Sequence, residues 1–227
     1  MISEKTFSVL ITTRAPERRT TIGEVVGAWA AQTADQVWLL NCGAPLPAMK
    51  GARVFNLPVD PGTRTDYSMA LLTTGDFVVL ADDDVVVGHG FLEALFQGWQ
   101  EAGARGLVGI IGRTFQGSTY WGETTFFRAS LLDRPVRVGF VGVVILAPRE
   151  LMAFDARGCP RNCDDLWLAM KTWPDEPKHV VPVHPYRNLA EAKGKSAMYR
   201  DPALREQRQQ FYGDHYLKTY APAGRKF

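Results

Sequence analysis

The 227-residue chain is short of cysteine, carries no surplus of charge and contains no long apolar run, and each shortage removes a class of explanation. Its three cysteines, Cys42, Cys159 and Cys163, are odd in number and too few for a disulfide framework, so buried, reduced thiols are expected. Cys159 and Cys163 also lack a second pair with which to close a zinc site. With 26 basic and 24 acidic side chains the formal net charge is +2, which gives no global field to draw the chain onto nucleic acid or a membrane surface. No stretch approaches the roughly 18 apolar residues of a membrane span, and the opening M-I-S-E-K-T-F puts charge where a secretory leader would be apolar. A cytoplasmic protein is the expectation. Internal repeats, low-complexity tracts and an evident linker are missing as well.

What the sequence does have is an ordinary globular composition, 46% hydrophobic and 22% charged, in a length that suits one large domain or two closely packed halves. Apolar runs and helical spacings alternate along it. Residues 7–12 (F-S-V-L-I-T) predict a strand, and Ile22, Val25, Val26 and Trp29 the buried face of a helix. Residues 37–40 and 54–57 predict further strands, residues 68–74 a helix closed by Gly75 as its C-cap, and residues 77–81 a fully apolar strand. Phe91, Leu92, Leu95, Phe96 and Trp99 mark another helix, followed by strands at 107–111 and 138–146, a helix at about 164–173 and a strand near 180–183. Between residues 113 and 137 the pattern breaks into the polar and aromatic G-S-T-Y-W-G-E-T-T-F-F-R, which reads as a loop or short hairpin framing a site. Such β-α alternation favours an open, mainly parallel α/β sheet, in which ligands sit beyond the carboxyl ends of the strands.

Asp82, Asp83 and Asp84 stand at the end of one such strand. Three adjacent carboxylates repel one another unless something positive neutralises them, and Mg²⁺ or Mn²⁺, which take oxygen ligands and commonly share them with phosphates, would do so. The bland alternative is an acidic turn capping the helix that begins near Gly90. A second constellation, Asn162, Cys163, Asp164 and Asp165, opens a helix. There Asn162 and Asp165 fit a reciprocal capping pair, while a carboxylate aimed from the helix start also suits an acceptor hydroxyl or a cationic sugar. Arg14, Arg18, Arg64 and Arg113 fall just after strands or in loops on the same side, where guanidinium groups grip phosphates. His184 and His215 are the candidates for a third metal ligand.

Several segments, taken together, resemble those of a known family. F-S-V-L-I-T-T with a nearby arginine, V-W-L-L-N-C-G, F-V-V-L-A-D-D-D-V-V-V, V-G-I-I-G-R, V-G-F-V-G-V-V-I-L and R-N-C-D-D-L-W-L-A-M follow one another between residues 7 and 170, and in their order and separation the chain resembles, over about residues 7–200, the exostosin-like glycosyltransferases. The resemblance implies a GT-A, Rossmann-like α/β fold with a mainly parallel central sheet flanked by helices and a smaller acceptor-side subregion. A single domain over 1–227 would comprise a nucleotide-sugar half, about 1–112, and an acceptor half, about 113–227. It further implies Mn²⁺ or Mg²⁺ at Asp84 and Asp82. Donor contacts would come from Thr13, Arg14, Arg18, Asn41, Arg64, Asp82, Asp83, Arg113 and Arg205, with Arg208 as the alternative to Arg205. Asp165, with Asp164 beside it, would be the acid at the reacting centre. The implied reaction moves a hexosyl or N-acetylhexosaminyl group from a UDP-sugar to a hydroxyl acceptor with retention of configuration.

Three other readings stand beside this one. The acceptor is a hydroxylated nucleic-acid base, on the strength of Tyr199, Arg200, Arg205, Arg208, Phe211, Tyr212, Tyr216, Lys218, Tyr220, Arg225 and Lys226, in which cations alternate with aromatics. Alternatively the chain binds a sugar nucleotide or glycan without turnover. Nucleotidyl transfer also uses metal-bound carboxylates on α/β sheets; the lack of a G-x-x-x-x-G-K phosphate loop counts weakly against it.

Overall fold

The computed structural model describes residues 4–14, 16–60, 62, 64–115, 118–122, 124–154, 158–160, 163–172, 176–189 and 201–220. The strands are β1 (Phe7–Thr13), β2 (Gln36–Asn41), β3 (Arg53–Asn56), β4 (Phe77–Asp82), β5 (Val85–Val87), β6 (Leu107–Phe115), β7 (Thr124–Arg128), β8 (Val136–Arg137), β9 (Phe140–Pro148), β10 (Lys178–Val180) and β11 (Tyr186–Asn188). The helices are α1 (Ile22–Ala30), α2 (Arg64–Ala70), α3 (Phe91–Glu101), α4 (Asp164–Lys171), α5 (Pro202–Phe211) and α6 (Leu217–Tyr220), the last two joined by a π-helical turn, Tyr212–Tyr216.

Nine strands make one mixed sheet in the order β3-β2-β1-β4-β9-β6-β10-β8, with β7 on the far half of β6. Strands β1 to β4, β6 and β10 run one way and only β7, β8 and β9 the other, so the sheet is mainly parallel. Strand β1 explains why this arrangement holds. Its F-S-V-L-I-T-T is buried almost throughout between β2 and β4, as a central strand covered on both faces must be. Its one early polar residue, Ser8, donates to Gln36 Oε1 at 3.2 Å and accepts from the Gly75 amide at 3.1 Å. Helix α1 contributes Ile22, Val25, Val26 and Trp29 to the core, and α3 contributes Phe91, Leu92, Leu95 and Phe96, the faces their 3.6-residue spacing selects. A second, smaller core of Phe115, Tyr120, Phe140, Cys163, Leu166, Trp167, Phe211 and Tyr212 packs α4 and α5 against β6 and β9. It forms a subregion distinct from the larger core under α1 and α3.

Three local expectations need correcting. Helix α2 begins at Arg64 and ends at Ala70, so Gly75 is no C-cap. Gly75 instead permits close backbone approach, because a Cβ there would lie 2.7 Å from Ser8 Oγ and 2.8 Å from both the Ser8 nitrogen and the Phe77 oxygen. The strand expected to close at residue 111 continues to Phe115 and turns back as β7, realising the hairpin. Finally, α4 starts at Asp164 with Cys163 at its N-cap and no side-chain cap bond. The N-cap position thus falls to Cys163, and Asn162, the expected cap, lies outside the described residues. All three cysteines are buried thiols that form no disulfide. Among the described residues no helix is long and apolar enough to cross a membrane.

Candidate active site

Strand β4 carries Asp82 as its last residue, and Asp83 and Asp84 make the tight turn into β5. The triplet thus sits at the carboxyl end of a strand and caps no helix, since α3 begins only at Phe91 with Gly90 before it. Arg18, 5% exposed, reaches the turn from the short 3₁₀ segment after β1: its Nη2 donates to Asp84 Oδ2 at 3.0 Å and its Nε lies 3.6 Å from Asp83 Oδ1. Burial raises the Asp83 carboxyl above its ordinary range, while a side-chain hydrogen bond to Thr13 and the Arg18 charge pull it back. Asp84 is likewise raised by burial and held down by Arg18. Asp82 keeps solvent contact, yet dehydration around its carboxyl and the charges of Asp84, Asp83, Asp164 and Asp165 push its pKa well up.

Antiparallel β9 brings in the other carboxylates. Its register pairs Val144 with Ala81, which sets Gly142 beyond the end of β4, and a Cβ on Gly142 would lie 3.5 Å from Asp165 Oδ2. A register shift between Gly109 and Ile111 on β6 gives β9 an extra residue here, and Val143 adopts φ 72°, a conformation that β-branched residues avoid. Asp165 Oδ1 accepts the Leu166 amide at 2.7 Å, and Oδ2 forms a close ion pair with Arg208 of α5. Burial opposes the Arg208 charge, but Asp165 and the nearby Tyr120 and Asp164 outweigh it and raise its pKa. Asp164 is raised by burial, then by Asp165 and Asp66. Tyr67 of α2 ties the two helix starts together by donating to the Asp164 carbonyl at 2.6 Å.

A third group lies beside these. Arg14 Nε donates to Asp60 Oδ1 at 3.1 Å, and its Nη2 stands 3.8 Å from Asp66 Oδ1. Thr12 Oγ1 makes a close hydrogen bond to Asp66, whose carboxyl is pushed by burial up to about 6 against the pull of Arg14 and Thr12.

The structure therefore gathers Thr13, Arg18, Asp82, Asp83, Asp84, Asp164 and Asp165 at one end of the sheet, with Arg14 engaged by its own pair of aspartates. Asn41 is 4% exposed and commits both amide protons internally, to Ala44 O at 3.0 Å and Asn56 Oδ1 at 2.7 Å, so it shapes the loop after β2 and offers no donor to a ligand. Arg64 opens α2, but its side chain is outside the described residues. Arg113 and Arg205 stack on Trp121, their guanidinium carbons 5.4 and 5.0 Å from the ring centre. Of the two C-terminal arginines between which the resemblance does not choose, Arg208 pairs with Asp165 and Arg205 stacks on Trp121. Neither histidine joins the triplet: His184 stacks on Tyr186 and His215 on Phe211, and among the described residues no three His, Cys, Asp or Glu side chains form a metal-holding group. The base-stacking strip also changes character. Phe211 and Tyr212 are 3% and 0% exposed, Lys218 pairs with Asp214 at 3.6 Å, and Tyr199, Arg200, Arg225 and Lys226, with the side chains of Tyr216 and Tyr220, are outside the described residues.

Asp60, Asp66, Tyr67, Tyr120 and Trp121 escaped the sequence reading. The T-D-Y-S-M of α2 offered a signal, an acid and a tyrosine at a helix start, but not the partners that give it meaning.

The residues at the triplet fit a divalent cation. Asp82 presents an oxygen ligand to solvent in a field of like charge, and all-oxygen sites suit Mg²⁺ or Mn²⁺. With no third protein ligand assembled, phosphate oxygens and water would complete the shell.

No protein-family model matches the chain, and no curated protein matches it. Solved structures do. TarS of S. aureus superposes with a TM-score of 0.58 at 14% identity, over 82% of this chain and 37% of that one, so this chain spans little more than a third of that protein's length. S. aureus TarS 1–349 in complex with UDP-GlcNAc gives 0.55 at 16% identity, over 80% and 57% of the two chains. GalNAc-T7 with UDP, GalNAc and Mn²⁺ gives 0.62 at 12% identity, over 97% and 53%. These neighbours are GT-A glycosyltransferases, and the likeness establishes a shared fold; the exostosin-like family is not confirmed by it.

Proposed function

We propose that this GT-A-fold chain is a metal-dependent glycosyltransferase that moves a hexosyl or N-acetylhexosaminyl group from a UDP-sugar to a hydroxyl acceptor. The observation that carries the reading is the meeting of two acidic groups at the carboxyl end of the sheet, Asp82 to Asp84 from β4 and Asp164 to Asp165 from α4, close enough that the second raises the pKa of the first. A donor diphosphate needs the first group and a reacting anomeric carbon the second. Neighbours holding UDP-GlcNAc, or UDP with Mn²⁺, support the choice of donor.

In this account Asp84 and Asp82 would hold Mn²⁺ or Mg²⁺, which when bound supplies Lewis-acid stabilisation of the departing diphosphate. Arg18 fixes the turn that aims them. Asp165, oriented by Arg208 and the Leu166 amide, sits at the reacting centre, where its charge stabilises the oxocarbenium-like sugar. Asp164, raised by burial, orients the acceptor hydroxyl beside it. Retention of configuration, implied by the exostosin resemblance, is part of the proposal: the C1–phosphate oxygen bond breaks, the acceptor oxygen bonds C1 from the same face, and its proton passes to the leaving diphosphate. Residues 1–112 form the donor half and 113–227 the acceptor half.

The test is metal-dependent release of nucleoside diphosphate across UDP-, GDP-, TDP- and CDP-sugars with the wild type and Asp84→Ala. Release from a UDP-sugar that the variant loses is expected. Failure of every sugar nucleotide to turn over, with one of them still bound, would leave a binding protein in its place.

A further inference from the structure

Resting on the glycosyltransferase reading, we propose that Tyr67 is a positioning residue, and that with Asp66 it makes α2 a brace setting the distance between the Asp triplet and the α4 carboxylates. The two acidic groups need such a tie. Asp82 lies in the field of Asp164 and Asp165 as well as of its own neighbours, and like charges drive the two groups apart. Neither arginine at the site opposes this. Arg18 joins the turn after β1 to Asp83 and Asp84, and Arg208 joins α5 to Asp165. Each holds its own acidic group and does not link one group to the other.

Helix α2 reaches both. Consecutive residues of a helix point about 100° apart, so Asp66 and Tyr67 leave α2 in different directions. Asp66 turns to β1, where Thr12 Oγ1 donates a close hydrogen bond to its Oδ1 and Arg14 Nη2 stands 3.8 Å away. Thr12 pairs with Asp82 across the β1–β4 ladder, so this contact pins α2 beside the base of the triplet. Thr13, next along β1, makes the side-chain hydrogen bond to Asp83. Tyr67 turns to α4: its hydroxyl donates to the Asp164 carbonyl at 2.6 Å, and its ring, 2% exposed, packs on Phe154 with centroids 4.9 Å apart. That packing fixes the ring and with it the point where the hydroxyl ends. Burial first, and then the charge of Asp164, raises the phenol well above its ordinary pKa, so it stays protonated and remains a donor. The bond ends on the backbone of the first residue of α4, so it locates the helix start, and both carboxylates follow it. The contacts therefore run in series from Asp82 through Thr12, Asp66 and Tyr67 to Asp164. A displacement of about 1 Å at a reacting centre costs up to about 10²-fold in rate, which is the scale of what the brace protects.

Initial rates of UDP release with Mg²⁺, water serving as acceptor, test this on whichever of UDP-GlcNAc and UDP-glucose the wild type hydrolyses faster. Tyr67→Phe removes only the hydroxyl, Thr12→Val removes the bond to Asp66 at equal size, and Thr12→Ser keeps that bond. The expected result is a kcat lowered at least about fivefold in Tyr67→Phe and in Thr12→Val, with KM and the calorimetric UDP affinity held within about twofold. Because the contacts act in series, the double variant falls no more than about twofold below the slower single variant, and Thr12→Ser stays within about twofold of the wild type. An unchanged kcat in either single variant, whatever its melting temperature, would leave Tyr67 a packing residue and overturn the brace. A raised KM at constant kcat, or effects that multiply in the double variant, would overturn it equally. Should one single variant fail to fold, the kcat of the other decides. No hydrolysis of either donor by the wild type would instead remove the glycosyltransferase reading, and the brace with it.

Discussion

Replacing Arg208 by methionine isolates the contact on which the candidate reacting centre depends. The Asp165 and Arg208 side chains are 20% and 11% exposed, so the substitution leaves a carboxylate largely out of water with its cation gone. Removing one partner of a fully buried pair costs about 3–5 kcal/mol, and the residual exposure of both groups here reduces the expected loss to about 2–3 kcal/mol. At about 2–4 °C per kcal/mol for a chain of this size, the melting temperature falls by roughly 4–12 °C. The same argument requires strong coupling. Asp165→Asn alone takes the carboxylate from Arg208, but the double variant removes both charges, so a double-mutant cycle followed by urea denaturation returns an interaction of at least about 1.5 kcal/mol. Packing alone would give a different answer, because methionine still fills the space beside Tyr120 and Phe140. Additivity of the two single variants to within about 0.5 kcal/mol refutes the claim that the pair anchors α5 to α4 and orients Asp165.

Lys178 is fully buried in β10 with its ammonium on the Glu176 carbonyl at 2.9 Å, and burial lowers its pKa from 10.5 to about 7. The unfolded chain then binds more protons than the folded one between pH 7 and 10.5, so this residue makes stability rise with pH over that window. Lys178→Met removes that rise and stabilises the protein near neutrality by an amount on the order of a few kcal/mol, read from urea melts at pH 7 and pH 10. Gly75→Ala forces a Cβ to within 2.8 Å of β1 backbone and lowers stability by about 2 kcal/mol in thermal melts. For the chemistry, the anomeric coupling constant of the purified product shows a retained configuration; an inverted product would make a single displacement with a carboxylate base the mechanism and remove the exostosin-like stereochemistry.

The parts of this structure legible in the sequence are those where one physical effect dominates. Strands β1, β2 and β4 are buried on both faces, so their apolar runs announce them, and the Asp triplet is conspicuous because it follows such a run directly. Helix α2 was misplaced because Gly75 has two physical meanings, a left-handed cap or a close approach, and only the nearness of Ser8 decides between them. Arg205 and Arg208 were inseparable for a related reason. Three residues apart on a helix they share a face, and the contacts that divide them, Trp121 for one and Asp165 for the other, come from segments 84 and 43 residues away. Asn41 looked like a ligand donor at a strand end, yet its amide is engaged by Asn56 on the neighbouring strand, a pairing set by sheet register that no local pattern reveals.

The most direct test of the central claim is calorimetric titration of UDP, with and without Mn²⁺, into wild type, Asp84→Ala and Asp165→Ala, alongside transfer assays. The account predicts metal-dependent UDP binding that Asp84→Ala abolishes and Asp165→Ala keeps within a few-fold while transfer is suppressed. Absence of UDP binding to the wild type with either Mn²⁺ or Mg²⁺, or equal loss of binding in the two variants, would contradict it.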